Sequence, residues 1–182
     1  MRISMSLGRV AFLCGTLGAL SSNAVAGQSV TGADFIEVYY SDAGTWNLTD
    51  PSIKKGFRAR TSTSDTWRDW TFPGNPYQTI FIDYTDSSSS YSWRGTSGAF
   101  TYTVNSQTSA VVSGTYTATV DITAGDLDIL KTETWDQSGR AMGIEVEFTN
   151  AGTDTLTGFE FNFGVDPDQD YDTLNNYNTK ND

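Results

Sequence analysis

Apolar residues recur at every second position through most of the chain. In residues 143–150 (GIEVEFTN), Ile144, Val146 and Phe148 alternate with Glu145, Glu147 and Thr149, which is the period of a half-buried antiparallel strand. Residues 156–165 (LTGFEFNFGV) repeat the pattern with Phe159, Phe161 and Phe163 on one side. Between the two, Asn150-Ala151-Gly152-Thr153-Asp154 has the composition of a hairpin turn. The pattern therefore predicts one antiparallel hairpin with all six apolar residues on its buried face. A strand over residues 127–135, joined through Asp136-Gln137-Ser138-Gly139, would complete a meander.

Further runs rich in β-branched and aromatic residues lie at 35–40, 57–61, 77–85, 99–104 and 115–122. Clusters of Gly, Asn, Asp or Ser separate most of them, including the low-complexity tip Ser87 to Ser90. No window of eleven or more residues carries a helical stripe. About eight strands with short turns predict an all-β fold, an antiparallel β-sandwich, with a jelly roll or small barrel as alternatives. Neither an internal repeat nor a linker divides the chain, so residues 27–182 are expected to form a single domain.

The first 26 residues follow a different pattern. Arg2 and Arg9 precede an apolar run, VAFLCGTLGAL, and Ala24-Val25-Ala26 follows it, the order of a cleavable secretory signal peptide. At eleven residues, the run falls short of the roughly 20 that a spanning helix needs. Cys14 is preceded by Leu13, which does not suit lipoprotein processing. Cleavage is expected between Ala26 and Gly27, giving a product secreted to the periplasm, cell surface or medium, with no membrane span.

That signal peptide holds two of the eleven basic residues and none of the 22 acids, so its removal deepens the net charge from −11 to −13. Such a charge disfavours nucleic acid and anionic membranes as partners and favours cations. The single cysteine leaves with the signal, so the exported domain has no disulfide to stabilise it. There is no histidine, which closes off Ser-His-Asp catalysis and His-ligated zinc. Carboxylate chemistry, oxygen-ligated cations and surface recognition remain.

Three groups of residues are candidates for these. Trp67 and Trp70, with Tyr91 and Trp93, offer flat rings on which a sugar could stack. The competing expectation is core packing, because residues three apart on a strand point to opposite faces. Glu133, Glu145, Glu147 and Glu160 could supply the two carboxylates a glycoside hydrolase needs. Their alternation along the strands instead reads as the solvated face of a sheet. The densest group is DPDQDYD, where Asp166, Asp168, Asp170 and Asp172 occupy alternate positions, about 6.6 Å apart if extended. Calcium, which takes six to eight oxygen ligands, is the natural counter-ion if that segment curls beyond Pro167. Asp126, Asp128 and the later asparagines could add oxygens. The spacing is not that of an EF-hand, because Tyr171 and Tyr177 stand where its glycine and bidentate glutamate belong. A solvated acidic loop is the alternative.

Residues 143–170, with a strand ending in Thr149-Asn150-Ala151-Gly152 and an aromatic strand running into Asp166-Pro167-Asp168-Gln169-Asp170, resemble a β-sandwich module of bacterial secreted and surface proteins. The resemblance implies an exported adhesive, matrix or carbohydrate-facing role and identifies no activity. The chain ends without a closing strand or sorting tail, as a fragment of a longer protein would. The expected function is a secreted, non-enzymatic β-sandwich for surface or matrix interaction, stabilised by calcium. The alternatives are an extracellular carbohydrate-active enzyme and an accessory component of an exported assembly.

Overall fold

The computed structural model describes residues 29–46, 56–69, 78–96 and 99–165. Every regular element among them is a β-strand. In chain order these are β1 (Ser29–Val30), β2 (Ile36–Tyr39), β3 (Phe57–Ala59), β4 (Arg68–Asp69), β5 (Gln78–Thr85), β6 (Ser90–Thr96), β7 (Ala99–Phe100), β8 (Thr103–Val112), β9 (Thr115–Ala124), β10 (Leu127–Asp136), β11 (Gly143–Asn150) and β12 (Thr157–Val165). They form three antiparallel sheets with orders β1-β2-β3-β4, β12-β5-β6-β7 and β11-β10-β9-β8. None closes into a barrel, and the layered arrangement is that of a β-sandwich, as the alternation predicts.

The third sheet is the platform for the rest. On β9, Tyr116, Ala118, Val120, Ile122 and Ala124 are buried while the intervening residues are part-exposed. On β10 the inward set is Leu127, Ile129, Lys131, Glu133 and Trp135. The register aligns Ile122, Ile129 and Phe148 in one row and Val120, Lys131 and Val146 in another. The β8–β9 hairpin closes through Ser113 and Gly114, both with positive φ (51° and 82°), as a two-residue primed turn requires.

The other two sheets share this inner face. Towards Ala124, the second sheet packs through Phe161 of β12 onto Phe148 (ring centroids 5.1 Å apart). The Tyr84 hydroxyl of β5 donates to the Ala124 carbonyl at 3.0 Å. Towards Tyr116, the face is covered by the first sheet and by the loop that leaves β2. There Tyr40 and Trp46 approach β10, and the Asp34 amide donates to the Gln137 carbonyl at 2.7 Å.

Two expectations need correction. The residues of β11 and β12 do not form a hairpin: β11 pairs with β10, and β12 pairs with β5. Residues 151–156 cross from one layer to the other. Local bonds hold that corner, with the Gly152 amide donating to Asn150 Oδ1 at 3.0 Å and Asn150 Nδ2 to the Asp154 carbonyl at 2.7 Å. Ile144, Val146, Phe148, Phe161 and Phe163 still face the interior, but across the sandwich, and each is half-buried. Phe159 is 41% exposed. Alternation fixes the phase of a side chain within its strand and is silent about which strand lies alongside. The run 99–104 also divides, between β7 and the start of β8; the polar Ser/Thr/Gln stretch that continues β8 gave no apolar phase to read.

Candidate functional site

The inner face of β10 carries two charged side chains. The phase set by Leu127, Ile129 and Trp135 turns Lys131 and Glu133 inward, where they are 1% and 0% exposed. This corrects the expectation for Glu133, which alternates with threonines rather than apolar residues and belongs to the core. Lys131 Nζ lies 3.0 Å from Glu133 Oε1 and donates to the Gly44 carbonyl at 2.8 Å. Both oxygens of Glu133 lie 3.0 Å from Trp46 Nε1, and the Tyr40 hydroxyl donates to Oε2. Burial, then the nearby carboxylate, raises the Tyr40 hydroxyl pKa well above that of an ordinary phenol, so it stays a donor. The Tyr40 and Phe163 rings lie 5.4 and 5.6 Å from the ammonium.

The Ser41–Trp46 loop places these partners. The Ser41 amide donates to the Thr45 carbonyl at 2.8 Å, and their hydroxyls pair at 2.8 Å. Gly44 has φ +70°, and a Cβ there would stand 2.4 Å from the Val120 side chain, so only glycine brings this carbonyl down to Lys131. The loop is tied from three sides: Gln107 Nε2 to the Ser41 carbonyl (2.7 Å), the Tyr102 hydroxyl to the Ala43 carbonyl (2.9 Å), and the Trp46 amide to Gln78 Oε1 (2.7 Å). Trp46 itself packs on Phe57 and Phe163. A carboxylate so enclosed cannot meet a dissolved substrate. The opposite-charge pair at i, i+2 inside an otherwise apolar phase was its signal in the sequence.

The solvent face of the same sheet is open. A depression of about 350 Å³ is lined by Asn105, Asp121, Thr123, Asp128, Glu147 and Thr149, with Ile129 and Leu130 between them. Leu130 is 41% exposed. Asn105 Nδ2 donates to Asp121 Oδ1 (3.0 Å) and Thr123 Oγ1 (2.8 Å), and the Thr123 hydroxyl donates to Asp128 Oδ1 (2.9 Å). Glu145, Glu147 and Glu160 are exposed, as expected of a solvated face.

The described aromatic candidates, Trp67, Tyr91 and Trp93, are each half-buried. Tyr91 and Trp93 alternate on β6 and are half-buried against the core, Tyr91 beside Tyr84 at 5.2 Å between ring centroids. Trp67 lies just before β4, with the Arg60 guanidinium 4.4 Å from its ring centroid. Trp70 and the calcium candidates Asp166, Asp168, Asp170 and Asp172 lie outside the described residues. Among the described residues, no group of three or more acidic side chains is gathered closely enough to hold a metal ion, and no helix is long and apolar enough to cross a membrane. Comparison with family profiles, curated proteins and solved structures finds no match.

Proposed function

We propose that the chain is an exported, non-enzymatic β-sandwich that recognises a polyhydroxylated surface component through the solvent face of β8–β11. The observation that supports this reading is the depression over β8–β11, where carboxylate, amide and hydroxyl groups surround an exposed Leu130. Carboxylates and amides bond vicinal hydroxyls, while an apolar floor takes the C–H face of a sugar ring; binding sites commonly combine a few placed polar groups with apolar lining. The fully enclosed carboxylate, Glu133, is sealed from any such ligand. Calcium bound by Asp166, Asp168, Asp170 and Asp172 remains part of the proposal as a stabilising ion.

The test is retention of the protein on a panel of insoluble polysaccharides, with reducing ends assayed in parallel. Wild type is expected to be retained on at least one without releasing sugar, and Asp121→Asn with Glu147→Gln to reduce retention at least tenfold. Retention unchanged in that variant, or on none of the panel, overturns the reading. Release of reducing ends that the same variant abolishes would establish the hydrolase alternative instead.

A further inference from the structure

We propose that Lys131 and Glu133 condense into an intramolecular amide inside the folded domain. The proposal rests on what surrounds the pair. The amine nitrogen is 3.0 Å from a carboxyl oxygen, and both groups are withdrawn from water. Two charges withdrawn from water carry a desolvation penalty, so conversion to a neutral amide removes a standing cost. The two residues are i and i+2 on one strand face, about 6.6 Å apart along the backbone, a span that the two long side chains bridge when joined end to end.

The neighbours are arranged for the step. A proton passes from Nζ to Oε1, and the freed lone pair attacks Cδ of Glu133. The developing oxyanion at Oε2 is met by the Tyr40 hydroxyl and by Trp46 Nε1, donors already in place before charge develops, as in an oxyanion hole. A second proton from Nζ then allows Oε1 to leave as water. The C–N bond forms, one C–O bond breaks, and ammonium plus carboxylate become amide plus water with no outside reagent. The one hydrogen left on nitrogen points to the Gly44 carbonyl, which Nζ already approaches at 2.8 Å.

Trypsin provides a direct reading, because it cannot cleave after an acylated lysine. The folded protein, denatured and digested, is expected to lack cleavage after Lys131 and to yield a peptide of residues 95–140, lighter by one water, with fragmentation placing the link between Lys131 and Glu133. Glu133→Gln preserves the shape and is expected to give the same peptide by loss of ammonia. Lys131→Met is expected to leave the mass unreduced, and Tyr40→Phe with Trp46→Phe to slow conversion at least tenfold. A wild-type digest in which residues 95–131 and 132–140 appear separately, at full mass, overturns the proposal whatever the variants do.

Discussion

Two carboxylates show how differently one residue type can behave on the same framework. Glu133 is closed in by Tyr40, Trp46 and Lys131, and removing it leaves the Lys131 ammonium buried without a carboxylate, whether or not the two are joined in the wild type. Glu133→Ala is expected to cost roughly 3 to 5 kcal/mol, whereas Lys131→Met with Glu133→Leu should recover most of that loss. Denaturant titration of the two variants checks this; equal losses would contradict it. Asp86, at the exposed β5–β6 turn, instead accepts the Ser88 and Ser89 amides at 2.7 and 2.8 Å. These bonds hold its carboxyl down to about 2. A lowered folded-state value means that its contribution is present above the ordinary carboxyl range near pH 4 and is lost as pH falls through 2. Amide exchange at the Ser88 and Ser89 amides should therefore stay slow at pH 4 and rise towards pH 2, and Asp86→Asn should remove that step.

At the scale of the element, alternation told inside from outside for most strands and even the inward turn of Phe161 and Phe163. It could not reveal that β11 and β12 belong to different layers, since both edges that they join accept the same backbone bonds. The inward turn of Glu133 has a separate cause, because its phase is set by Ile129 and Trp135 rather than by its own polarity. Phe161 is half-buried and meets Phe148 edge-on across the sandwich. Phe161→Ala is expected to cost about 2 kcal/mol in a denaturant titration, less than for a sealed core ring. A loss below ~0.5 kcal/mol would place the ring outside the interface. Gly95 is the tighter constraint: a Cβ there would stand 1.9 Å from the Tyr102 hydroxyl oxygen, and this ring is buried and bonded to Ala43. Gly95→Ala should destabilise by roughly 1 to 3 kcal/mol through overpacking, with Gly95→Ala/Tyr102→Phe restoring only part of it.

For the whole molecule, a net charge of −11 makes a bound cation consequential. If the acidic segment 166–172 binds calcium in the folded state only, a free concentration ~100 times the dissociation constant adds about 2.7 kcal/mol. Melting should then rise by about 5 to 11 °C over an EDTA control for a domain of this size. Ionic strength must be matched, since salt alone screens the net charge. Asp168→Asn with Asp170→Asn should abolish the calcium-specific rise, and identical melts in calcium, magnesium and EDTA would refute it. Composition brought that question into view, but the chain's topology was not legible from composition or period, because strand partners are chosen by three-dimensional closure. The pairing of β12 with β5, as in Phe161 with Ile82, joins positions roughly 80 residues apart, a separation of the kind that slows folding. Until Val165 has been synthesised, Ile80 and Ile82 have β6 on one side but lack β12 on the other, and Trp46 lacks the Phe163 ring against its edge. A nascent chain halted before β12 therefore presents β5 as an open sheet edge.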